Sequence, residues 1–183
     1  MKTDYMNTQP ANLKGKWMNA VIQLIIEALK FIFPAYCANA APVLIGGGLP
    51  MDLGRKFLDG KPIFGKNKTF RGFFSGLAVG TAVSFAESIF FPEYPVLFGF
   101  SISLGALLGD LAGAFIKRRM GIAPGSLLPV VDQIDFIVGA IVFSLPLKIL
   151  SFELVLTALI ITIPLHVFTN FVAYKLGLKG NPW

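Results

Sequence analysis

Charge is what this chain has least of. Asp, Glu, Lys and Arg make up 14% of its 183 residues, against roughly 25% in an ordinary soluble domain. Apolar residues reach 55% and the mean hydropathy is +0.70. The excess apolar surface must face lipid, which excludes the soluble fold classes. One compact bundle, a single integral-membrane domain over 1–183, is expected rather than two domains. Cysteine is nearly absent. Cys37 stands alone, which excludes an intrachain disulfide, and its apolar setting reads as a small buried residue. No small-residue cleavage site follows the polar stretch 1–16, so the first apolar segment is expected to be a retained anchor behind an external tail. An internal repeat is also missing, which argues against an inverted-repeat transporter. Negative charge is in the minority, with a net charge of +6. Anionic lipid headgroups and topology-setting loops account for that excess, so a bilayer and no nucleic acid is the expected partner.

What is present is five long apolar stretches, at 17–47, 70–91, 95–116, 133–150 and 152–176. A spanning helix needs about 20 mostly apolar residues. The expected fold is therefore all-α, a polytopic membrane protein of about five transmembrane helices, with cytoplasmic loops forming the active site. The first stretch is too long for a simple span and contains Pro34 and Pro42. It predicts a kinked helix, or a span followed by a short membrane-edge segment. Glu27 and Lys30, three apart, share a face and suit an internal ion pair. Eleven Lys and Arg residues fall in the loops after the first and third stretches and at the carboxyl end, against four (Lys2, Lys14, Lys16, Lys148) on the opposite side. By the positive-inside rule, loops 48–71 and 117–132 and the carboxyl end are cytoplasmic and the amino end is outside.

The polar residues with chemical potential crowd that same side. Segment 50–72 is a long, glycine-rich, basic loop that runs into the second helix. Glycines let backbone amides approach an anion, and a helix start offers unpaired N–H groups with a favourable dipole. Lys68, Thr69 and Arg71 thus suit phosphate, although a loop that only sets topology has the same charge. The spacing of a Walker loop is missing. Asp110 and Lys117, seven apart, share a face at about 10 Å along a helix, beside the basic run Lys117-Arg118-Arg119. Asp132 and Asp135, three apart, share another face. Magnesium takes one or two carboxylates and completes its shell with water and phosphate oxygens; Asp110, Asp132 and Asp135 at one pocket would meet that demand. An ordinary helix cap remains open for Asp132. His166 and Asn170, four apart, offer an interhelical hydrogen bond or a substrate contact. Asn39 with Pro42 looks like a local helix break of the kind tolerated where backbone lines a cavity.

Taken together, these strings resemble the CDP-archaeol synthase family from about residue 39 to 183. The resemblance rests on Asn39-x-x-Pro42, Pro50-x-Asp52, Asp59-Gly60 and Phe64-Gly65-x-Asn67-Lys68-Thr69-x-Arg71-Gly72. It continues through Gly109-Asp110, Ile116-Lys117-Arg118-Arg119, Asp132-Gln133-x-Asp135-Phe136, His166-x-x-x-Asn170 and Pro182-Trp183. The family is similar to phosphatidate cytidylyltransferases, but here no His-Gly-Gly precedes the Asp pair and Gln133 stands where arginine is usual. The resemblance implies cytidylyl transfer from CTP to unsaturated archaetidic acid, an ether lipid phosphate, with Mg2+. On that reading Asp110, Asp132 and Asp135 hold the metal. Lys68, Arg71, Lys117 and Arg118 grip the phosphates, with Arg119, His166 and Asn170 as further substrate contacts. Asn39, Asn67 and Thr69 position substrate through neutral hydrogen bonds. The alternative, a transporter of a phosphorylated solute or lipid, predicts site-like polar residues on both sides of the bilayer.

Overall fold

The structure, a computed structural model, describes residues 10–148 and 150–182, with side chains from Leu13 onward. Most of the expected tail, and Trp183 of the closing motif, lie outside the described residues. Five helices follow one another: α1 (Pro10–Ile45), α2 (Phe70–Phe90), α3 (Val96–Arg119), α4 (Val131–Ser144) and α5 (Phe152–Lys175). Four of them, α1, α2, α3 and α5, are long and apolar enough to cross a membrane, and the protein is a multi-pass membrane protein. The fourth apolar stretch differs from expectation. Helix α4 has 14 residues, about 21 Å at 1.5 Å per residue, short of the roughly 30 Å hydrocarbon layer.

Helix α1 is one continuous helix through Pro34 and Pro42, and it starts inside the predicted tail. Pro42 brings no N–H for the carbonyl of Ala38 four residues earlier. Helix α2 meets the chain at that point: a Cβ on Gly76 would stand 2.5 Å from the Ala38 oxygen. Only glycine lets the second helix lie so close to the carbonyl that the proline leaves open.

Helix α3 occupies the centre, packed against α1, α2 and α4. Its contact with α4 is backbone on backbone. A Cβ on Gly105 would fall 2.4 Å from the Gly139 oxygen, and one on Gly139 2.1 Å from the Gly105 oxygen. Small residues bring helices together this way where lipid supplies no hydrophobic drive. The core lies in the half of the bundle around Phe31 and Ile32 of α1, Phe98 and Ile102 of α3, and Phe136 and Ile137 of α4. Large apolar side chains such as Phe74, Phe85, Phe152 and Phe168 are exposed, as a lipid-facing surface requires. The expected pair forms, with Lys30 Nζ 2.9 Å from Glu27. Lys30 also lies 3.6 Å from Glu93 and Tyr94 donates to Glu27 at 3.2 Å, which ties the α2–α3 turn to α1.

At the other end, the α1–α2 loop is closed at its base. Phe70 N–H donates to the Leu49 carbonyl at 3.1 Å and Met51 N–H to that of Lys68 at 2.7 Å. Asp52, buried in its middle, accepts the N–H groups of Gly54 at 3.0 Å, Phe64 at 3.1 Å and Gly65 at 2.7 Å. Burial alone would raise its pKa; the three donors outweigh that and hold the carboxyl below its ordinary value.

Candidate functional site

Where the α1–α2 loop, the start of α2, the α3–α4 loop and the end of α5 meet, a cavity of about 640 Å³ opens into the bundle. Helix geometry sets its depth. Asp110 precedes the end of α3 by nine residues, about 13 Å, so the cavity reaches below the loops. All but two of the site residues expected from sequence line it: Asn39, Asn67, Lys68 and Thr69, then Asp110, Lys117 and Arg118, then Asp132, Asp135, His166 and Asn170.

Two ion pairs organise the wall. Lys68 Nζ lies 2.5 Å from Asp110 Oδ2, joining the loop to α3. Lys117 Nζ donates to both oxygens of Asp132, at 2.8 and 2.6 Å, joining α3 to the foot of α4. Asp132 Oδ2 also accepts the Leu128 N–H at 2.9 Å, so it closes the turn before α4. The N-cap position itself is held by Val130. All three expected carboxylates line this cavity, two of them paired with lysines, and among the described residues no group of three His, Cys, Asp or Glu is placed to hold a metal.

Asp135 is held differently. It sits in a notch of α3 where a Cβ on Gly113 would be 2.0 Å from its Oδ2, and its Oδ1 accepts the Phe136 N–H at 2.6 Å. It feels the charges of Asp110 and Lys68, so two carboxylates and one lysine share this part of the wall. A donor set of hard oxygens with excess negative charge fits a divalent cation such as Mg2+. Arg118 poses the opposite demand. It is 4% exposed, and its Nε and Nη1 have no hydrogen-bond partner. Buried guanidinium N–H groups without acceptors are costly, and an anion in the cavity would satisfy them.

The other expected residues take local roles as well. Thr69 Oγ1 accepts the Gly72 N–H at 3.1 Å and so caps α2. The His166 ring lies 5.7 Å from that of Phe136, and Asn170 Oδ1 accepts from Lys179 at 2.8 Å.

A family model described as CarS-like, CDP-archaeol synthase, matches residues 21–183. The chain belongs to this family. It is 44% identical to the CDP-archaeol synthase of Pyrococcus furiosus, over 87% of this chain and 98% of that protein. With that of Methanococcus aeolicus it shares 41% identity, over 90% and 99%. A solved structure described as an intramembrane enzyme for archaeal membrane lipids biosynthesis superposes with a TM-score of 0.76 at 36% identity, covering 80% of this chain and 94% of that one. Membership of an enzyme family displaces the transporter reading.

Two expected site residues lie elsewhere. Arg71 is exposed on the first turn of α2, outside the cavity, because the turn that points Gly72 inward rotates its neighbour outward. Arg119 turns back to the α1–α2 loop. It holds Asp59 at 2.7 Å, donates to the carbonyls of Lys61 and Pro62, and stacks on Phe57 and Phe115. It is a clamp for the loop. Conversely, Lys66, Ser126, Lys179 and Asn181 line the cavity and were not expected there. Lys179 read as a topology charge; the only hint of a fold-back was the Gly180-Asn181-Pro182 turn signal after α5.

Proposed function

We propose that this protein transfers CMP from CTP to the phosphate of 2,3-bis-O-geranylgeranylglycerol 1-phosphate, giving CDP-archaeol and pyrophosphate. The carrying observation is the buried Arg118 guanidinium, short of acceptors, facing a cavity rimmed by Lys68 and Lys117 at the end of membrane helices. Family membership supports the same reading.

The chemistry asks little beyond positioning and charge. A phosphomonoester oxygen of the lipid attacks the α-phosphorus of CTP, the bond to the β-phosphate bridging oxygen breaks, and pyrophosphate leaves with the electron pair. That oxygen is already ionised near neutral pH, so no general base is required; the site's task is to align polyanions and neutralise their charge. Lys68, Lys117 and Arg118 grip phosphate oxygens. Each lysine exchanges its carboxylate for phosphate as the substrates enter, which frees Asp110 and Asp132. Asp110 and Asp135, together with Asp132, would then hold Mg2+. The metal would supply charge neutralisation at the phosphates. Asn39, Asn67 and the Asn170 amide offer neutral hydrogen bonds to nucleotide or lipid. The prenyl chains would lie in the lipid-facing groove between α2 and α3 lined by Phe74, Leu77, Phe85 and Phe100. The cavity end is the cytoplasmic end.

Purified protein in detergent with radiolabelled CTP tests this. Arg118→Ala is expected to raise the KM for CTP at least about tenfold, the worth of a lost charged hydrogen bond. Asp135→Asn is expected to abolish magnesium-dependent transfer while leaving the melting transition in place. Wild-type protein that forms no CDP-lipid would overturn the assignment, and an Asp135→Asn variant with wild-type rates would overturn the metal site.

A further inference from the structure

Past α5 the chain reverses. Gly177 takes a φ of 72°, its N–H donates to the Tyr174 carbonyl at 3.0 Å, and the Leu178 N–H donates to that of Ala173 at 2.9 Å. This paired pattern is the Schellman motif, in which a left-handed glycine closes a helix and redirects the backbone. Here it sends residues 178–181 along the cavity, whose wall they form together with α5. Side chains of the strap tie it to the rest of the protein. Lys179 Nζ donates to Asn170 Oδ1 at 2.8 Å, and Asn181 Nδ2 donates to the Gly125 carbonyl of the α3–α4 loop at 3.3 Å.

The strap thus brings a cation to a wall that already has several. Among the described residues, Lys66, Lys68, Lys117, Arg118 and Lys179 line the cavity beside the carboxylates of Asp110, Asp132 and Asp135. Lys179 stands in the field of Lys68, Lys117, Asp110 and Asp132. Burial, and then the neighbouring Lys68, hold its ammonium below the ordinary lysine pKa. The hydrogen bond to Asn170 holds its Nζ at the cavity wall, where a phosphate that enters would meet it.

We propose that Lys179 is a phosphate-binding residue of this site, carried to the cavity by the strap after α5, with a phosphate oxygen of the nucleotide or of the lipid as its ligand. This rests on the cytidylyl-transfer reading. Methionine at 179 keeps the length and removes the charge, so Lys179→Met is expected to raise one KM about tenfold or more, as loss of a charged contact does. A rise confined to CTP assigns Lys179 to the triphosphate, and one confined to the lipid assigns it to the lipid phosphate. Lys179→Arg should restore most of the loss, because it restores the charge. Lys175→Met, on the last turn of α5 outside the cavity, should leave both values unchanged. Should Lys179→Met lose its cooperative melting transition, Asn181→Ala decides instead: it releases the strap from Gly125 and is expected to raise the same KM about threefold or more, the cost of one neutral hydrogen bond. If both KM values stay within twofold of wild type in the variant that folds, the proposal is overturned, and Lys179 only closes the end of α5. Failure of the wild type to transfer CMP at all would instead strike the functional reading beneath it.

Discussion

Asp52 shows how a single carboxylate can shape a site it does not enter. Its three backbone donors come from both arms of the α1–α2 loop, so its charge fixes the loop that presents Asn67 and Lys68. Its folded pKa lies below the unfolded value, so its contribution to stability is complete above the unfolded carboxylate pKa, about 3.9. That contribution is lost as the pH falls through the lower folded value. Asp52→Ala is expected to destabilise the loop by about 1.5–3 kcal/mol, the range for hydrogen bonds to a charged group. Limited proteolysis within 53–66 at neutral pH reads it out, and the difference from wild type should vanish in strong acid; equal cleavage at neutral pH would refute the role. At this scale the sequence was informative about type and silent about direction. The basic run 117–119 was visible, yet Lys117 and Arg118 face the cavity while Arg119 clamps Phe57 and Asp59. Successive helical residues differ by about 100° in direction, and only the packed neighbours decide which of three cations is turned inward.

Helices α3 and α4 carry all three site aspartates, and their spacing is set by Gly105 and Gly139. A methyl group at either position meets the opposite backbone, so the helices must separate or the side chain must strain. Gly139→Ala is expected to cost about 1–3 kcal/mol, as overpacking does, and to weaken the thermal stabilisation given by CTP with magnesium, because Asp135 lies one turn away. A melting curve in detergent with and without nucleotide measures both effects, and an unchanged melting temperature would show that the contact can relax. The apolar stretches revealed all five helices, but not their lengths. Helix α4 ends at Ser144, two residues before Pro146, which brings no N–H for the carbonyl of Val142 four residues earlier. Its start is marked by Val130 at a φ of 67°, a conformation that β-branched residues rarely adopt and that no sequence pattern announces. Where Pro42 leaves the Ala38 carbonyl open, Gly76 of another helix packs against it, a partner invisible to a local reading.

The whole molecule is polar at one end and sealed at the other. The cavity and both basic loops share one end of the bundle, while the opposite end is closed by the Glu27, Lys30, Glu93 and Tyr94 network. Such asymmetry suits an enzyme that draws a water-soluble nucleotide from one compartment and a lipid from the bilayer beside it. The proposed orientation, with the cavity end in the cytoplasm, rests on the excess of basic residues in the loops. Leu58, 96% exposed at the tip of the α1–α2 loop, and Leu147, 46% exposed beyond α4 at the sealed end, give a direct test. In a protein with Cys37 replaced by alanine, a membrane-impermeant thiol reagent should label Leu58→Cys in inside-out vesicles and spare it in sealed right-side-out ones. Leu147→Cys should behave in reverse. The opposite pattern at both positions would invert the orientation and place the site outside the cell, away from the cytoplasmic CTP on which the proposed reaction depends.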